Sequence, residues 1–179
     1  MISTENTVDR TMQMSEQRAN NKPELILFSR DAVLLERLRP FAEGIPYLKC
    51  EVGSGPQVTA AAQLDALWAT LMVGAELFGA VPPFPLHEAR VLPTPTAQLK
   101  RGFPKYGVVG VALLPEEGQS PESNLRLVLS ALLEAVQVFN SQGRDRINRV
   151  GILPDDLELK KLDPQAGFKI IREVYEHAA

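Results

Sequence analysis

Few side chains in this 179-residue chain have types and spacings suited to chemistry, and the densest group of them is acidic. Asp155, Asp156, Glu158 and Asp163 crowd one stretch, and hard divalent cations prefer carboxylate oxygens in that density. Beside Lys160 and Lys161 the same acids also read as a solvated turn whose charges balance locally. His87 has an ordinary pKa suited to acid or base work near neutrality, but no Ser, Cys or paired acid stands at a diagnostic spacing from it. An exposed loop histidine fits better. Gly53-Ser54-Gly55 could turn its amides toward a phosphate or simply reverse the chain, and it lacks the length of a P-loop. Asp65 could orient a ribose hydroxyl, or serve as a cap or turn partner at a strand entrance. Lys100, Arg101 and Lys105, with Phe103 and Tyr106 between and beside them, could contact a phosphate or stack on a base, or form a soluble loop. Trp68 could stack on a ligand ring, or fill core.

Composition narrows these choices. The net charge is -3, which argues against a broad attraction to nucleic acid phosphates. With two histidines and one cysteine, a His/Cys zinc site would lack its usual ligand number. Lone Cys50 excludes an internal disulfide and fits a reducing compartment. No apolar run approaches the roughly 18 residues that a spanning helix needs, and the N-terminus has no signal-peptide succession. The expectation is a cytoplasmic protein with no membrane or nucleic acid partner; a homo-oligomer is left open.

The elements that must position these residues follow from periodicity and punctuation. Met1 to Lys22 is poor in apolar residues and reads as a disordered tail before a single domain over residues 23–179. Glu24 to Phe28 suits a short buried strand, after which Ser29 is placed to cap a helix with Leu34, Leu35 and Leu38 on one face, ended or kinked by Pro40. Tyr47 to Val52 suits a second strand, with a sharp turn at Gly53 to Pro56 and a short Ala-rich helix beyond. Asp65 to Thr70 reads as strand, although its alanines and leucines also permit helix. Six prolines between Ala80 and Pro104 predict a long loop around one short strand at Glu88 to Leu92. Tyr106 to Leu114 is the clearest strand and is expected at the sheet centre. Ser120-Pro121 opens a helix carrying Leu125, Val128, Leu129, Leu132, Val136 and Phe139, which Gly143 stops. Ile147 to Leu153 resembles a strand, and Asp163-Pro164 opens the last helix.

At Leu64-Asp65-Ala66-Leu67-Trp68-Ala69-Thr70-Leu71, followed by Gly74 and Gly79, the chain resembles a divergent macro domain, and by order of elements the resemblance runs from Glu24 to His177. It implies an α/β fold, a three-layer α/β/α sandwich with a mixed, largely parallel sheet, that binds ADP-ribose or a related nucleotide; some members hydrolyse ADP-ribosyl bonds. Where the family has asparagines that orient the distal ribose, this chain has Trp68, Ala69, Thr70 and Leu71. The first turn lacks the family's adenine-reading aspartate, and the segment Gly151 to Asp156 carries a proline and two acids that would repel a pyrophosphate. The resemblance so qualified implies a degenerate binder of ADP-ribose or another nucleotide-derived ligand, without catalytic residues, metal or cofactor. Its implied ligand-binding residues are Gly53, Ser54, Asp65, Thr70, Gly74 and Gly151. The alternative is a structural or protein-interaction module.

Overall fold

The computed structural model describes residues 21–81, 83–85, 88–111 and 120–178. Its elements run in the order β1 (Glu24–Ser29), α1 (Ala32–Ala42), β2 (Leu48–Val52), α2 (Gly55–Ala62), β3 (Ala66–Thr70), α3 (Leu71–Phe78), β4 (Ala89–Pro93), α4 (Thr96–Lys100), β5 (Tyr106–Gly110), α5 (Pro121–Ser141), β6 (Arg149–Ile152), a 3-10 turn (Pro154–Leu157) and α6 (Pro164–His177). The strands form one six-stranded sheet in the order β2-β1-β6-β3-β5-β4. All neighbouring strands pair parallel except β4, which is antiparallel to β5.

Strand alternation divides the core between the two faces. In β3, Ala66 and Trp68 point to the face covered by α1, α5 and α6, while Leu67 and Ala69 point to the face covered by α2 and α3. This two-sided burial produces the three-layer α/β/α sandwich, and it explains why β3 reads as a continuous apolar run. The larger core holds Leu25, Leu27, Leu129, Leu132 and Ile152, all fully buried. Its other face is a smaller cluster around Ile26, Val58, Leu67, Phe78 and Val109.

Local chemistry sets the helix starts. Asp31, not Ser29, is the N-cap of α1: its Oδ1 accepts from the Leu34 amide at 3.1 Å, while the Ser29 hydroxyl accepts from the Asp31 amide at 3.0 Å. The two oxygens act in series, so sequence spacing alone put the cap two residues early. Pro40 lies inside α1, which continues for two residues beyond it to Ala42. Ser120 caps α5 and Asp163 caps α6, each followed by the expected proline.

Two tertiary placements differ from expectation. β5 is the second strand from one edge, and the centre belongs to β6 and β3, because sheet position is decided by crossover connections that periodicity does not encode. The proline-rich segment also contains the one-turn helix α4, which begins after Pro95, a residue whose fixed φ suits a helix start. Within the same segment β4 begins at Ala89 and includes Pro93. The expected tail falls outside the described residues over 1–20, as do His87 and the expected strand end at 112–114. Asn21 and Lys22 are tied to the domain: the Asn140 side-chain amide donates to the Asn21 carbonyl at 3.1 Å, and Lys22 Nζ donates to the Tyr175 carbonyl at 2.8 Å.

Candidate functional site

In an α/β sheet of this kind, ligands settle outside the carboxyl ends of the strands, where successive crossovers leave toward opposite faces. Here those ends are Ser29, Val52, Ile152, Thr70 and Gly110. β3 continues into α3 on one face, whereas α5, the helix that follows β5, covers the other. The divergence between neighbours β3 and β5 therefore falls at Thr70 and Gly110.

The residues singled out from sequence divide into three environments. Gly53 and Ser54 follow β2 at the carboxyl edge, but their polar groups are engaged. The Gly53 amide donates to the Ser29 carbonyl at 2.9 Å. Ser54 forms a reciprocal capping box, its amide donating to Gln57 Oε1 at 2.9 Å and its hydroxyl accepting from the Gln57 amide at 3.4 Å. The turn thus closes on α2 and has little left for a phosphate.

Gly74 and Gly151 are contact points between layers. A Cβ at Gly74 would stand 2.5 Å from Val109 Cγ1, so the missing side chain is what lets α3 approach β5. One at Gly151 would stand 2.7 Å from Leu64 and 2.8 Å from Leu67, inside the smaller cluster. Neither amide lies in a free loop.

Asp65 lies at the amino edge, separated from Thr70 by the length of β3, about 16 Å at the usual strand rise. Its Oδ2 accepts from the amides of Asn148 at 2.8 Å and Arg149 at 3.1 Å, clamping the entrance of β6 to that of β3. The structure does not bring it together with the carboxyl-edge residues.

Thr70 remains. It is the N-cap of α3, half-buried, with no side-chain hydrogen bond to the helix. Among the described helices of eight or more residues, α3 alone lacks a side-chain cap. Its first-turn amides point out of the carboxyl edge with no side-chain acceptor among the described residues. Met72 is 84% exposed and Val73 45%, so the same turn presents apolar surface. Sequence reading chose Thr70 by resemblance and missed α3 as an element. The signal was present in the short apolar run between Thr70 and Gly79, the left-handed residue that ends it.

The acidic segment follows β6, which is the neighbour of β3, and its 3-10 turn packs against α5 and β1. Lys160 pairs with Asp155 at 3.2 Å and Lys161 with Glu158 at 3.5 Å. The buried Asn124 side chain donates to Glu158 at 2.6 Å, and Asp163 caps α6. Burial, reinforced by Asp155 and Glu158, pushes the Asp156 carboxyl up to about 6. Among the described residues no three His, Cys, Asp or Glu side chains are arranged to hold a metal ion.

The remaining candidates are engaged locally. The Arg101 guanidinium donates to Gln98 at 2.9 Å and lies 5.3 Å from the Phe103 ring centroid. The Tyr106 hydroxyl donates to Asp145 at 2.8 Å. Trp68 is core, its ring standing over Gly110, and its Nε1 has no hydrogen-bond partner among the described residues. No described helix is long and apolar enough to cross a membrane. Comparisons with protein-family models, curated proteins and solved structures return no significant match.

Proposed function

We propose that the chain is a macro-like, non-catalytic ligand-binding module whose site centres on Thr70 and the first turn of α3, with ADP-ribose or another nucleotide-derived anion as its ligand. One observation carries this reading: the only long described helix without a side-chain cap starts where the crossovers of β3 and β5 diverge. Free amides at a helix N-terminus favour anions, and exposed Met72 and Val73 offer an apolar surface to a base or sugar. The macro resemblance supplies the ligand class. The carboxylates after β6 oppose a pyrophosphate, so binding of ADP-ribose by the native sequence is expected to be weak.

The test is a thermal shift titration with ADP-ribose, for which saturation to about one hundred times the dissociation constant adds about 2.7 kcal/mol, or roughly 5–10 °C at this size. Thr70→Asp supplies both a cap and a negative charge. It should raise the stability of the free protein by about 1 kcal/mol while removing the ligand shift. A ligand shift that persists in Thr70→Asp places the ligand elsewhere. If the native sequence shows no shift, Asp155→Asn/Asp156→Asn should reveal one. Silence in both rules out this ligand.

A second reading, as a protein-interaction module, is favoured by the closed Gly53-Ser54 turn and by an apolar cleft of about 450 Å³ between β4 and α5.

A further inference from the structure

β4 is the last strand of the sheet, and one side of its backbone has no strand partner among the described residues. Which groups lie on that side follows from the ladder. The Thr94 amide donates to the Lys105 carbonyl at 2.9 Å, and β4 pairs antiparallel with β5 through Pro93↔Tyr106 and Val91↔Val108. Antiparallel ladders alternate, so Leu92 and Arg90 bond inward to β5, while Ala89, Val91 and Pro93 direct their backbone groups outward. Pro93 has no amide to leave unpaired there, which is the position an edge strand tolerates. The outward edge therefore offers the amides of Ala89 and Val91 and the carbonyls of Ala89, Val91 and Pro93.

Beside this edge lies the cleft under α5, whose apolar lining comes from Val91, Ala131, Ala135, Val138 and Phe139. Val138 is 53% exposed, so the cleft wall presents apolar surface to solvent. The charges around the cleft decide its occupant. Glu88 and Glu134 line it, both are exposed, and neither forms an ion pair among the described residues. Arg90 also lines the cleft and keeps its charge, but its guanidinium donates to the Pro83 carbonyl at 3.2 Å, sits 4.5 Å over the Phe84 ring and pairs with neither carboxylate, so two acids against one base leave the lining negative. A second copy paired antiparallel about Val91 would set Thr94 opposite Glu88 and bring no cation to it, whereas a strand flanked by Lys or Arg would.

We propose that the outer edge of β4 and the adjoining α5 cleft bind an extended segment of a partner protein, as an added strand with apolar side chains facing the cleft and Lys or Arg flanking them. Backbone bonds to Ala89 and Val91 fix its register, the cleft takes one or two aliphatic side chains, and Glu88 and Glu134 select the flanking cations. The proposal deepens the interaction reading and does not involve Thr70, so the two sites can fail separately.

The probe is a labelled peptide that alternates Val and Thr with Lys at both ends, titrated by fluorescence anisotropy against the full chain, with a Glu-ended twin as control. The Lys-ended peptide should bind saturably, and the twin at least about tenfold more weakly. Glu134→Lys should weaken the Lys-ended peptide by about tenfold and Val91→Pro should abolish binding. Because Val91→Pro could disturb the strand itself, the native protein is also titrated with the peptide N-methylated on the amides of one edge and then of the other. One of the two should lose binding and the other keep it. The ADP-ribose response of Glu134→Lys should match that of the native protein. The proposal is overturned by no saturable binding up to about 1 mM, by binding indifferent to Glu134→Lys and to both methylations, or by a dimer of the chain that Val91→Pro dissociates.

Discussion

Asp156 is a residue whose surroundings work against its charge. Its carboxyl titrates at about 6 in the folded protein, above the ordinary carboxylate value, because it is buried and faces Asp155 and Glu158. The folded state therefore holds this proton more tightly than the unfolded chain. The resulting stability is fully present below the unfolded value, about 4, and is lost as pH rises through 6. Asp156→Asn should leave stability near pH 4 unchanged and raise it at pH 8 by on the order of 1–3 kcal/mol, measured by urea unfolding across that range. A flat difference between the two proteins would show that the carboxyl is not confined. Asp65 makes the opposite case, a carboxylate satisfied by two backbone amides. Asp65→Ala should cost about 1.5–3 kcal/mol and leave any ADP-ribose shift at saturation intact, since the lost bonds join β3 to β6 at the far edge. Sequence could offer Asp65 as either a ribose ligand or a turn partner. The acceptor role depends on Asn148 and Arg149, more than eighty positions away, and no local spacing shows it.

Among the elements, helix ends and faces were the most legible. Ser120, Pro121 and the apolar stripe of α5 specify its start and its buried face, and Gly143 takes the left-handed conformation just past its end. Leu129 and Leu132 are fully buried on that face, so each replacement by Ala should cost about 2–5 kcal/mol in chemical unfolding, according to how far the cavity collapses. Losses under about 1 kcal/mol at both would contradict the packing of α5 on the sheet. Ser54→Ala breaks one half of the capping box of α2 and should cost about 1 kcal/mol. It should leave ligand binding unchanged if the turn serves only α2. The short elements were less legible. β3 is apolar on both sides and lacks the alternation that tells strand from helix, and α4 is a single turn among prolines. In each, neighbouring layers supply what the local pattern omits.

At the scale of the whole molecule, one sheet serves both cores, so a lesion on either face should loosen the same cooperative unit. Trp68, the single tryptophan, lies in the larger core, and its fluorescence reports on that face while far-UV circular dichroism reports on all the helices. The two signals should give coincident urea transitions, and Val109→Ala in the smaller cluster should shift both equally. Separate midpoints would mean that the faces unfold independently. By itself the sequence determined the α/β class, the starts of α5 and α6, the buried faces of α1 and α5, and the presence of strands β1, β2 and β6 to within a residue or two at their ends, because caps, prolines and periodicity act within a few residues. Only the tertiary structure decided that β5 lies beside an edge, that Gly74 and Gly151 are consumed in packing, that Asp65 stands across the sheet from Thr70, and that α3 starts uncapped between diverging crossovers. These are properties of strand order and of atoms brought together across long stretches of chain, and a one-dimensional pattern carries no term for either.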